Sequence, residues 1–235
     1  MNIVALETAT ETVGVAVRTE GGVQAEFTLT GRRRHVETLV PALEHLLAQV
    51  DLAPGDLHVV AVDLGPGLFT GLRVGVSTAK GLAQSLGIGV IGFSSLDILT
   101  WAVAQSGHRG RVLAAVDARR GEVFATVRDV GQPDAPDPEI LPPGLFAPDE
   151  LAQVLTDLGG TPVLAVGDGA QRYADVLGQV PGVTCVMDAF GHPPPSAQLA
   201  MALAEGVTPV APHLIVPTYM RDADARSNFA QITPR

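Results

Sequence analysis

The chain has 235 residues, an apolar fraction of 46% and a formal net charge of −10, enough apolar material for one large domain or two small ones. Fifteen Lys and Arg stand against 25 Asp and Glu, which argues against a chain that grips a nucleic-acid backbone by itself. The N-terminus lacks the regions of a signal peptide and no apolar run is long enough to span a bilayer, so the expectation is a cytoplasmic protein. The single cysteine, Cys185, cannot form an internal disulfide and is expected to be a small buried hydrophobe.

The first half opens with three strand-like runs, Met1 to Leu6, Thr12 to Arg18 and Val23 to Leu29, with Glu20-Gly21-Gly22 as a turn. The basic cluster Arg32-Arg33-Arg34-His35 is expected to be a solvated loop before a helix. That helix carries Val36, Leu39, Val40, Leu43, Leu46, Leu47 and Val50 at helical spacing, and Pro41 should kink it or delay its start. A strand from His58 to Leu64 then feeds Gly65-Pro66-Gly67-Leu68-Phe69-Thr70-Gly71-Leu72-Arg73-Val74-Gly75 and a helix ending near Leu86. A short strand near residues 89 to 91 and a helix from about Ser95 close this half.

The glycine segment is neither of the usual phosphate cradles. A P-loop ends in Gly-Lys-Ser/Thr, and a dinucleotide fingerprint needs glycine where Thr70 stands. Gly67, Gly71 and Gly75 instead continue into Ala79 and Ala83, one small residue per helical turn, which lets a neighbour approach closely. Each interior glycine costs about 1 kcal/mol relative to alanine, so the row implies a packing requirement. The neighbour is either part of the same subunit or a helix of another one. Thr70, Arg73, Ser77, Lys80 and Gln84 form a separate polar stripe.

The second half repeats the order. Strands are expected at Arg111 to Asp117, Glu122 to Arg128, Pro162 to Val166 and Val183 to Met187, a helix from Pro148, and a last helix capped by Ser196 and stopped by Gly206. Gly131 to Pro143 reads as a loop or frayed strand, and Asp168, between two glycines, as a turn residue. Val4 through Val17 aligns without gaps on Ala114 through Val127, and Val59 to Val62 on Val163 to Val166. The division is expected at residues 1–107 and 108–235. The fold class is α/β, two tandem actin-like, ribonuclease H-like lobes with duplicated βββαβαβα order and mixed five-stranded sheets flanked by helices.

Within that fold the chain resembles the bacterial TsaB family, also called YeaZ. The likeness runs end to end and rests on Arg34-His35, the Gly65-to-Gly75 segment, Ser94-Ser95-Leu96, Asp117-Ala118-Arg119-Arg120-Gly121-Glu122 and Pro217-Thr218-Tyr219-Met220-Arg221. It implies a subunit of the machinery that makes threonylcarbamoyladenosine in tRNA, on the adenosine 3′ to the anticodon. The implied partners are TsaD, the catalytic subunit, and TsaE, an ATPase, with a homodimer possible when alone and tRNA reached only through the complex. It further implies pairing with TsaD through the first two helices, a surface expected to include His35, Thr38, Ala42, His45, Thr70, Gly71, Arg73 and Gly75.

The chemistry expected of an enzyme is thin. TsaD binds metal through a His-x-x-x-His pair one helical turn apart, and Ser95 and Leu99 stand at those positions here. ATP-using members of the fold place acids after the first strand of each half, here Glu7 and Asp117, which are the candidates for weak nucleotide binding. A longer Glu7 in place of the family's aspartate would displace a bound Mg²⁺. Ser94 or Ser95 reads as a helix cap, since Gly92-Phe93-Ser94-Ser95-Leu96 lacks the last glycine of a nucleophile elbow. The expectation is a non-catalytic subunit with no metal and no cofactor. The alternative is a stand-alone ATPase or phosphotransferase of the same fold.

Overall fold

The computed structural model describes residues 1–31, 34–131, 138–186, 190–204 and 207–220. Arg32, Arg33, Met187, Gly206 and Arg221, each part of a feature read above, lie outside them. In the first half, β1 (Ile3–Glu7), β2 (Val13–Arg18) and β3 (Gln24–Leu29) form an antiparallel meander. They are followed by α1 (His35–Gln49), β4 (Val59–Asp63), α2 (Phe69–Leu86), β5 (Gly89–Phe93) and α3 (Ser95–Gln105). The sheet order is β3-β2-β1-β4-β5, with β4 and β5 parallel to β1. The second half contains β6 (Gly110–Arg119), β7 (Glu122–Val130), β8 (Glu139–Phe146), α4 (Pro148–Asp157), β9 (Val163–Val166), α5 (Asp168–Arg172), α6 (Ala174–Leu177), β10 (Val183–Cys185) and α7 (Pro195–Ala202), in sheet order β10-β9-β6-β7-β8.

Each five-stranded sheet comes from one half, but the helices do not stay at home. Leu39, Leu43 and Leu46 of α1 and Val76, Ala79 and Ala83 of α2 cover one face of the first sheet, against Val4, Leu6, Val60 and Val62. Burying each of those leucines is worth about 2 kcal/mol. The opposite face, Ile3, Ala5 and Ala61, is covered by Leu199 and Ala202 of α7, which belongs to the second half. In turn α3, from the first half, sets Leu96, Leu99 and Val103 against Val112, Ala114 and Val116 of the second sheet. The last helix of each half thus packs on the other half's sheet.

Several expectations change in detail. The ungapped internal alignment slips by one residue in its first strand only; its second strand keeps its facing, with Val13, Val15 and Val17 and the aligned Val123, Ala125 and Val127 all turned to their own half's helices. Glu7 pairs with Gly14 but Asp117 pairs with Val123, and Val4 and Leu6 face α1 whereas the aligned Ala114 and Val116 face α3. A one-residue slip turns every side chain to the opposite face, and strands buried on both faces carry no alternation that would reveal it. Of the two readings of Gly131 to Pro143, loop or frayed strand, Pro142 and Pro143 take the second: they lie in β8, an edge strand with bulges, where missing N–H groups are tolerated. The last helix begins at Pro195 with Pro194 in the capping position, so Ser196 lies inside its first turn. Asp168 opens the short helix α5. Helix α1 starts at His35 and runs on past Pro41; the acceptor freed by the proline belongs to the solvent-exposed Glu37. Cys185 is only half-buried, on edge strand β10.

Candidate functional site

The turn after β1 is where the glycine segment acts. The Thr8 hydroxyl donates to the Gly71 carbonyl at 2.8 Å and the Leu68 N–H donates to the Ala9 carbonyl at 2.6 Å. A β-carbon at Gly67 would overlap the Ala9 carbonyl, one at Gly71 the Thr8 carbonyl, and one at Gly75 the Thr8 hydroxyl. The small-residue ridge therefore lets α2 lie directly on residues 8 and 9 of its own lobe. The other helix is fastened to the same turn, because His35 Nε2 donates to the Thr10 carbonyl at 2.9 Å, which sets its tautomer.

This packing corrects part of the expected partner surface. His35, Ala42, Gly71 and Gly75 are buried within the chain, and Ala42 belongs to the core beneath α1. Thr38, half-buried, and His45, Thr70 and Arg73, exposed, remain accessible. The sequence pattern missed the apolar part of this face. Val36 is 73% exposed and Val40 45% on α1, and Phe69 is 49% exposed on α2. Val36 and Val40 repeat at the helical spacing read above as core, so only an unfilled place in the amphipathic stripe could have marked them.

A groove of about 340 Å³ runs between the two helix starts, lined by Arg34, Val36, Leu68, Phe69, Thr70 and Val74 among others. At its edge the Arg73 guanidinium lies 3.8 Å from the centre of the Phe69 ring, and the Phe69 and Tyr219 rings are 5.3 Å apart. Tyr219 reaches α2 because the C-terminal segment is strapped to the first lobe. Val210 bridges Val90 of β5, Lys80 Nζ donates to the Ile215 carbonyl at 3.0 Å, and the Thr218 N–H donates to the Leu64 carbonyl at 2.7 Å.

The two nucleotide candidates sit in different surroundings. Glu7 is wholly buried: its Oε1 accepts the Ala9 N–H at 2.7 Å and its Oε2 the Gln198 amide at 3.1 Å. Burial, then the neighbouring Asp63, pushes its carboxyl well above the usual carboxylate range. Asp117 is nearly buried; its carboxylate accepts the Arg119 N–H and pairs with the Arg119 guanidinium at 2.8 Å. Arg119 also reaches Glu11 of the first lobe at 2.7 Å, spanning the two halves. Asp168 accepts the Asp117 N–H at 2.9 Å, and burial raises its carboxyl to about 6. A Mg²⁺–nucleotide needs carboxylate oxygens facing an open cleft. Glu7 points inward and Asp117 is held by arginine, so the pair does not fit that cofactor.

The two positions at which the sequence departs from a His-x-x-x-His pair, Ser95 and Leu99, are also committed elsewhere. Ser95 is buried and donates to Asp63 at 2.7 Å, while Leu99 is in the core. Ser94 is the helix cap, accepting the Leu96 N–H at 3.2 Å. Among the described residues no three His, Cys, Asp or Glu side chains gather as metal ligands, and no helix is long and apolar enough to cross a membrane.

Two mixed sheets of the same order, each half closing its last helix over the other, define a two-lobed protein of the actin-like class. Residues 9–143 match the family model described as TsaD, tRNA N6-adenosine threonylcarbamoyltransferase. The tRNA threonylcarbamoyladenosine biosynthesis protein TsaB of Bacillus subtilis is 31% identical over 239 residues, covering 98% of this chain and 99% of that one. The Escherichia coli TsaB is 38% identical over 124 residues, 53% of each chain. The solved structure of YeaZ from Pseudomonas aeruginosa superposes with a TM-score of 0.78 at 26% identity, over 93% of this chain and 99% of that one. The chain belongs to the TsaB family of tRNA threonylcarbamoyladenosine biosynthesis proteins.

Proposed function

We propose that this chain is a non-catalytic scaffold that binds TsaD and makes it competent to transfer a threonylcarbamoyl group to N6 of the adenosine 3′ to the anticodon, in the cytoplasm. TsaE joins the same complex, tRNA is met only through it, and the chain can pair with itself when TsaD is absent. The observation that carries this reading is the apolar exposure of the α1–α2 face, where Val36, Val40 and Phe69 lie open beside Thr38, His45, Thr70 and Arg73. Aromatic and arginine side chains on a desolvated apolar patch are what tight interfaces are built around. The commitment of Ser95, Leu99, Glu7 and Asp117 to internal contacts supports a role without bond-making chemistry of its own.

The test is reconstitution with TsaD, TsaE, ATP, threonylcarbamoyl-adenylate and unmodified tRNA. Product should form with this chain present and fall to background without it, and this chain alone should give none. Transfer by this chain alone would overturn the reading. Micromolar Mg–ATP binding with turnover by the pure chain would replace it with the stand-alone ATPase.

A further inference from the structure

Strands β1 and β4 run parallel with Leu6 opposite Val62, so Glu7 and Asp63 come next, side by side on neighbouring strands. Adjacent strands lie about 4.8 Å apart, and both side chains are fully buried. Asp63 Oδ1 accepts the Gly65 N–H at 2.6 Å and the Ser95 hydroxyl at 2.7 Å. Its Oδ2 is buried without a partner, as is Oε1 of Gln198, the α7 residue that touches Glu7. Two carboxylates this close in a dry site cannot both ionise. A carboxylic acid at Glu7 supplies the missing donor for Asp63 Oδ2, so a proton satisfies the geometry without any cation. The remaining charged groups that act most strongly here are Asp168 on Glu7 and Asp97 on Asp63, both acidic.

Four elements meet at this cluster: the ends of β1 and β4, and the two helices α3 and α7, each of which packs on the sheet opposite to its own half. We propose that Glu7 and Asp63 hold a single proton between them at neutral pH, and that this proton pins the crossover helices to the first sheet. Burial is the leading influence on both groups; it raises Glu7 well above the ordinary range and Asp63 to about 6. The folded chain therefore keeps a proton that the unfolded chain releases near pH 4.5, and stability falls as pH rises from there until Glu7 ionises.

The direct test is carboxyl ¹³C NMR of protein labelled at glutamate, with the Glu7 signal assigned by its absence in Glu7→Gln. The signal should stay at the protonated position through pH 7. A Glu7 signal already at the carboxylate position at pH 6 overturns the proposal, as does conversion of the signal by 1 mM Mg²⁺ or Ca²⁺, which would make the occupant a cation. Glu7→Gln, which keeps a donor toward Asp63, should fold and remove the linkage. The wild-type unfolding constant should rise relative to the variant by up to tenfold per pH unit above pH 5; parallel pH curves count against the proposal. If Glu7→Gln does not fold, Asp63→Asn supplies the second arm. Its Glu7 signal should titrate at lower pH than in the wild type, and an unchanged titration refutes the shared proton.

Discussion

Alanine at Gly71 and alanine at Gly81 are the same substitution in the same helix with opposite expected outcomes. At Gly71 the new β-carbon would fall on the Thr8 carbonyl, a backbone atom that cannot swing aside. Overpacking of that kind costs about 1–3 kcal/mol, and displacing the helix also strains the 2.8 Å bond from the Thr8 hydroxyl to the Gly71 carbonyl, worth about 1 kcal/mol. Alanine's better helix propensity returns about 1 kcal/mol. The net loss is about 1–3 kcal/mol, a fall in Tm of roughly 2–12 °C for a chain of this size. At Gly81, exposed and with nothing within 4 Å of the place a methyl group would occupy, only the propensity gain remains. Gly81→Ala should melt about 2–4 °C higher than the wild type. Calorimetry of the isolated subunit reads both. If Gly71→Ala melts at or above the wild type, the ridge is not an internal contact, and its glycines answer to a neighbour outside the chain.

Asp168→Asn keeps the oxygen that accepts the Asp117 N–H and removes a buried acid. Because burial raises Asp168 from 3.8 to about 6, its favourable contribution is full below pH 3.8 and lost as pH rises through 6. Urea unfolding should show the variant more stable at pH 7.5, by at most about 3 kcal/mol, and the gain should vanish by pH 4; a gain equal at both pH values contradicts the assignment. Arg119→Leu leaves the nearly buried Asp117 without its closest cation and cuts the tie to Glu11, so it should cost about 2 kcal/mol in the same assay. An unchanged midpoint would mean the interlobe bridge carries no stability. Elemental analysis of purified protein should find no stoichiometric zinc or iron, given Ser95 and Leu99 in place of paired histidines; one metal per chain would show a site formed by other residues.

What the sequence revealed and what it hid follow from how many constraints each residue satisfies. The meander, the amphipathic stripe of α1 and the glycine ridge were readable because each is a local periodicity. The register of the internal repeat was not, because β1, β4 and β6 are buried on both faces and either register looks equally apolar. The exchange of α3 and α7 leaves no local mark, since Leu99 and Leu199 are as apolar as any core leucine whichever sheet they cover. Glu7 and Asp117 were visible as strand-end acids, but that Glu7's nearest acid is Asp63 depends on β1 pairing with β4, a contact between segments far apart in sequence. On the α1–α2 face, spacing alone could not separate the leucines that look inward from Val36, Val40 and Phe69, which look out.

The central claim is that the α1–α2 face binds TsaD, and calorimetric titration of TsaD with the wild type and with Val36→Asp and Phe69→Asp tests it most directly. Both positions are exposed in the isolated chain, so both variants should melt within about 2 °C of the wild type, surface changes being worth about 0.5 kcal/mol or less. A charge placed in the desolvated centre of the contact should weaken binding at least tenfold, about 1.4 kcal/mol or more. Variants that melt normally and bind TsaD with wild-type affinity would contradict the account.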